Sequence, residues 1–99
     1  MWSTHRTITE EENVEREVDA LIQKYPRFED QWDGLKWILC RHPEMDNARH
    51  QVINGKKHWL AHTKGDLSHD LVEIAVIYTF DENEVCILGV GAFEATNSL

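Results

Sequence analysis

Four of the six histidines in this 99-residue chain lie between positions 47 and 70, together with four of its ten lysines and arginines. They are His50, His58, His62 and His69, with Arg49, Lys56, Lys57 and Lys64. Imidazole takes or gives a proton near neutral pH because its unperturbed pKa is about 6.5. An ammonium group stabilises negative charge developing on a nearby oxygen. A segment holding both is equipped for general acid and base work, with His58, His62 and His69 as proton carriers and Lys56, Lys57 and Lys64 as charge stabilisers. Plainer roles compete for the same residues. Lys56 and Lys57 follow Asn54-Gly55 and also read as the solvated end of a turn, and Glu73, four residues beyond His69, also reads as its structural ion-pair partner. No metal or cofactor is expected. At i,i+4 His58 and His62 would be a pair of zinc ligands on a helix, but their surroundings are strand-like and no His-Glu-x-x-His motif occurs.

The charge distribution isolates this segment. Residues 47–70 carry four bases against Asp66 and Asp70, net plus 2, whereas residues 1–46 hold eleven acids and six bases and residues 71–99 hold five acids and no base, each net minus 5. An acidic chain meets nucleic acid against long-range repulsion, so RNA contact would have to be local and made through this one segment.

The elements that must position these side chains are legible from periodicity. Leu71 to Phe80 and Val85 to Val90 are rich in β-branched residues and flank the short acidic insert Asp81-Glu82-Asn83-Glu84, which predicts a hairpin. Val72, Ile74, Val76, Tyr78 and Phe80 share one face of the first strand, and Leu71, Ala75 and Ile77 make the other face apolar too, so this strand is expected to be covered on both sides. Trp2 to Ile8 reads as a short opening strand. Thr9-Glu10-Glu11-Glu12 fits a capping box for a helix carrying Val14, Val18, Leu21, Ile22 and Tyr25 and stopped by Pro26. A second helix spans Phe28 to His42, with Phe28, Trp32, Leu35, Ile38 and Leu39 as its stripe and Pro43 beyond it. Ala48 to Ile53 and Lys57 to Thr63 form a second strand pair around Asn54-Gly55. His58 and His62 then lie on one face with Leu60 between them, and Trp59 on the other. Trp32 and Trp37 are expected to pack between helices and sheet, whereas Trp2 and Trp59 fit either packing or base stacking.

The result is one α+β domain over residues 1–99, with an N-terminal helical hairpin on a four- to five-stranded antiparallel sheet. No stretch approaches the roughly 20 apolar residues of a membrane helix, and the first residues lack the features of a secretory signal, so a cytoplasmic protein is expected. Cys40 and Cys86, each in an apolar string, read as reduced, buried thiols.

With the opening strand, the helix pair ending in LKWILCRHPE, the turn in INGKKHWLAHTKGD and the closing VIYTFDENEVCILGVGAF, the chain resembles the RelE/ParE superfamily of toxins from bacterial type II toxin–antitoxin modules. The resemblance covers nearly the whole length and is nearest the histidine-rich YafQ branch, through His69 opening the central strand, Glu73 four residues later and His62 before the Lys64-Gly65 turn. It implies a ribosome-dependent messenger-RNA endoribonuclease, with His62, His69 and Glu73 in the proton-transfer roles, Lys56, Lys57, His58 and Lys64 on the RNA, and a cognate antitoxin as partner. The family's basic residues on the last two strands are replaced here by Ala75, Val76 and Gly91-Ala92-Phe93. The alternative is therefore a non-catalytic member of the fold, a ParE-like inhibitor of DNA gyrase or an interaction domain.

Overall fold

Val14, Val18 and Leu21 recur at helical spacing and bury one side of α1 (Glu12–Lys24). Phe28, Trp32, Leu35 and Leu39 do the same for α2 (Phe28–Arg41), whose Glu29 and Asp30 suit its N-terminal turn and whose Arg41 suits its last. The computed structural model describes residues 5–45 and 47–94, so the part of the expected opening strand that begins at Trp2 lies outside the described residues. The strands are β1 (Thr7–Glu10), β2 (Arg49–Ile53), β3 (Lys56–Thr63), β4 (Glu73–Phe80) and β5 (Glu84–Phe93). They form one sheet in the order β1-β5-β4-β3-β2. Neighbours are antiparallel except β1, which runs parallel to β5. The helical hairpin and three strands lie in the chain between β1 and β5, and so long a connection permits parallel pairing. The architecture is thus two N-terminal helices on a five-stranded, mostly antiparallel sheet.

Ile74, Val76 and Tyr78 of β4 and Val85 and Ile87 of β5 are fully buried against the helices. The hairpin between these strands is irregular at one point. Ile77 faces Gly89 while Tyr78 faces Ile87, leaving Leu88 as the extra residue of a bulge. The β2–β3 turn carries Asn54 and Gly55 at φ 53° and 79°, the pair of left-handed residues that a two-residue hairpin requires. The β4–β5 turn is held by Asp81, whose side chain accepts from the backbone N–H groups of Asn83 and Glu84 at 2.7 and 2.9 Å. Those bonds hold its carboxyl below the usual carboxylate range.

Five expectations are corrected. No Thr9 capping box forms. Thr9 belongs to β1, its hydroxyl donates to the Val85 carbonyl, and α1 begins after Glu11 without a side-chain cap. β4 is covered on one face rather than two, for Ile77 is 44% exposed. Ninety-nine residues supply a single helical layer, and nothing among the described residues covers the sheet's other face. Trp37 does not pack against the sheet and is 57% exposed. At 100° per residue it points about 200° away from the inward positions Leu35 and Leu39, and the Arg41 guanidinium stacks 3.9 Å over its ring. Ile38, also assigned to the buried stripe, is 37% exposed rather than buried. Cys40 and Cys86 form no disulfide, yet both are half-buried rather than core residues. Among the described residues no helix is long and apolar enough to cross a membrane.

Tyr78 ties the sheet to the loop after α2, its hydroxyl donating to the Pro43 carbonyl. Burial, reinforced by the nearby Glu44 carboxylate, pushes its pKa from 10.0 up to about 12. A raised pKa means that the unfolded chain loses this proton first. Stability is therefore expected to fall as pH rises from 10 to about 12, by about 1.4 kcal/mol per pH unit from this group. Tyr78→Phe should remove that slope in urea titrations at stepped pH. At neutral pH it should cost about 1–3 kcal/mol, because the Pro43 carbonyl is left without its donor.

Candidate functional site on the uncovered sheet face

Alternation along β3 sends Lys56, His58, Leu60 and His62 to the uncovered face and Lys57, Trp59 and Ala61 to the helical side. Ala61 is buried there, and Trp59 packs on Phe80 with ring centroids 5.4 Å apart. Trp59 is thus a packing residue. The sheet register extends the uncovered face into rows. Leu60 lies beside Ile77 and Gly89, His62 beside Ala75 and Gly91, and Glu73 beside Phe93. Glu73 stands two residues along β4 from the partner of His62, on the same face. Such diagonal neighbours are roughly 7–8 Å apart, within reach of one substrate group.

His58 and His62 share this face, as expected, but are separated by four strand residues, or roughly 13 Å along the backbone. That span rules out a shared metal ion. Among the described residues no group of His, Cys, Asp or Glu is arranged to hold one. Nor can both imidazoles touch one phosphodiester. His58 instead lines a separate groove of about 350 Å³ with Lys56, Thr79, Asp81, Glu84 and Cys86. Its Nδ1 lies 3.0 Å from the Lys56 carbonyl. A carbonyl only accepts, so Nδ1 is the donor of this bond. The two carboxylates beside one lysine make this end of the face unfavourable for a phosphate.

His62 is exposed, and its imidazole makes no hydrogen bond or ion pair among the described residues. Its backbone is fixed, however, by the Asn47 side-chain amide, which donates to the His62 carbonyl. Asn47 is a positioning residue that the sequence pattern did not reveal, because a loop asparagine carries no periodic signal. Glu73 is half-buried and equally without a side-chain partner among the described residues.

His69 is placed differently. It ends a short 3₁₀ turn (Leu67–His69) between β3 and β4, and the Arg27 side chain donates to its carbonyl at 3.3 Å, which puts it beside the α1–α2 connection. Its Nδ1 lies 2.7 Å from Asp66 Oδ2, so its ion-pair partner is Asp66 rather than Glu73. The Ser68 hydroxyl donates to Asp66 Oδ1 at 2.7 Å, and together with His69 it holds the Asp66 carboxyl below the usual range. Three residues of the segment thus turn inward on one another to close the loop. Lys64 lies just past the end of β3, whereas Lys57 is on the other side of the sheet. The structure therefore groups His62 with Glu73, and Lys56 with His58, and leaves His69 apart from both.

No family model matches the chain, and no curated protein or solved structure is significantly similar to it.

Proposed function

We propose that the chain is the toxin component of a type II toxin–antitoxin module, an endoribonuclease that cuts messenger RNA on the ribosome. One observation carries this reading: His62 and Glu73, neither with a side-chain partner among the described residues, are diagonal neighbours on the uncovered face of the sheet, spaced for a single phosphodiester. In this reading His62 and Glu73 divide the proton transfers, one taking the proton of the ribose 2′-hydroxyl as its oxygen attacks the adjacent phosphorus and the other protonating the departing 5′-oxygen. Lys64 is the nearest cation in sequence to steady the phosphate. His69 closes the β3–β4 loop and has no part in the chemistry. A cognate antitoxin would cover the same face.

A second reading rests on a different observation. β4 and β5 bring no lysine, arginine or histidine to the uncovered face, and Leu60, Ile77 and Phe93 are exposed on it. Such a surface suits a non-catalytic protein that binds and blocks a target. Inducible expression in a bacterium, followed by growth and transcript integrity, separates the two. Growth arrest with cleaved transcripts supports the nuclease, whereas arrest with intact transcripts supports the inhibitor. Unimpaired growth overturns both.

A further inference from the structure

At one end of the sheet β3 parts from β4. Their last pair is Trp59 with Tyr78, yet β3 begins at Lys56 and β4 runs on to Phe80. β4 and β5 stay paired over that stretch, Thr79 with Cys86 and Phe80 with Val85. The groove of about 350 Å³ that His58 lines opens where β3 leaves its neighbour. Its two sides differ in charge. Lys56 and His58 stand on the β3 side, whereas Glu84 begins β5 and Asp81 precedes it in the turn. Leu88 adds apolar surface. Among the described residues Lys56 and Glu84 form no ion pair, so the groove presents charges of both signs that do not neutralise each other in contact.

A second feature is independent of the charges. Tyr78 is buried on the helical side, so alternation turns the Thr79 side chain to the uncovered face, where it lines this groove. Thr79 is only 5% exposed, and its hydroxyl makes no hydrogen bond among the described residues. It is not sealed in, because the one fully enclosed side-chain nitrogen or oxygen without a partner among those residues is Trp32 Nε1. The Thr79 oxygen therefore keeps an opening, and the groove is the space it lines. Buried hydroxyls are normally hydrogen-bonded, so one left over at the bottom of a groove points to a partner that the groove admits. The charges narrow the choice. Two carboxylates oppose a phosphate or other polyanion, and Lys56 opposes a simple cation. A groove of this volume, at the lower end for binding pockets, suits a small molecule carrying both charges.

We propose that this groove binds a zwitterionic α-amino acid with an apolar side chain. Its carboxylate turns to Lys56 and His58 and accepts from the Thr79 hydroxyl, its ammonium turns to Glu84, and its side chain lies on Leu88. The proposal is independent of the ribonuclease reading and makes no use of His62 or Glu73.

The test follows the Thr79 and Glu84 backbone amides of the full chain by ¹⁵N–¹H NMR while L-leucine is added. Isocaproate and isoamylamine, the same molecule without its ammonium or without its carboxylate, are separate probes. The expected result is a saturable shift with L-leucine and roughly tenfold weaker binding of each analogue, the loss of one charge-assisted contact. Thr79→Val and Lys56→Gln should each weaken L-leucine roughly three- to tenfold. Thr79→Val removes a hydroxyl that no other described group uses, and Lys56→Gln alters an exposed side chain, so both variants keep the fold. Three outcomes overturn the proposal. L-leucine leaves both amides still, which means that the groove holds solvent alone, either analogue binds as tightly as L-leucine, or either variant binds it as well as the native chain.

Discussion

His62→Ala is expected to lower transcript cleavage by roughly 10²- to 10⁴-fold, the usual share of one proton-transfer group. Glu73→Gln should fall in the same range, because in the proposed mechanism the two groups serve the two proton transfers of one displacement. His69→Ala should leave cleavage at the native level, because that imidazole is held by Asp66 in the β3–β4 loop. The measurement is the rate of transcript cleavage in a ribosome-containing translation extract, with purified protein added at equal folded concentration. The contrast among the three variants is the informative part. Loss at His69 with retention at His62 would overturn the assignment drawn from the uncovered face and restore the one implied by the family resemblance. Equal retention in all three would leave only the binding reading. His62→Ala and Glu73→Gln should fold normally, since neither side chain has a partner among the described residues.

Phe28→Ala is expected to destabilise the fold by about 3–5 kcal/mol, a loss comparable with much of the roughly 5–15 kcal/mol that holds a domain together. Phe28 is fully buried at the start of α2, with its ring centroid 5.9 Å from that of Trp32. Truncation leaves a cavity between both helices and the sheet, and a helical layer only one helix thick has little with which to refill it. Trp37→Ala, nine residues along the same helix, should cost less than about 1 kcal/mol, since its main contact is the exposed Arg41 stack. Urea unfolding distinguishes the two through the midpoint, with an unchanged slope if the transition stays two-state. A large loss at Trp37 would mean that its outward surface is covered, which the described residues do not provide.

These two expectations separate what is readable in a linear chain from what is not. Helix and strand periodicity is a local property, fixed by where each side chain points along its own backbone. For that reason Val14, Val18 and Leu21, the Phe28–Leu39 stripe, the Asn54-Gly55 turn and the core face of Ile74, Val76 and Tyr78 were all legible. Trp37 and Ile38 misled because apolar type was weighed above angle. Thr9 misled because a hydroxyl that could accept from a helix N–H instead donates to the Val85 carbonyl of the neighbouring strand, and local propensity cannot choose between those partners.

The sequence by itself determined the α+β class, the helical hairpin, the second strand pair and the placement of His58 and His62 on one strand face. It also determined that one segment carries four of the six histidines and the unbalanced positive charge. The tertiary structure alone decided which of those histidines meet other groups. Sheet register set His62 opposite Ala75, two residues along β4 from Glu73, the β3–β4 turn gave His69 to Asp66, and strand rise kept His58 too far from His62 to share a substrate. It also decided that one face of the sheet stays open among the described residues, with Leu60, Ile77 and Phe93 exposed on it. The physical reason is the same in each case. Periodicity orients side chains relative to their own element, whereas encounters between elements depend on register and packing, which are set only when the core closes.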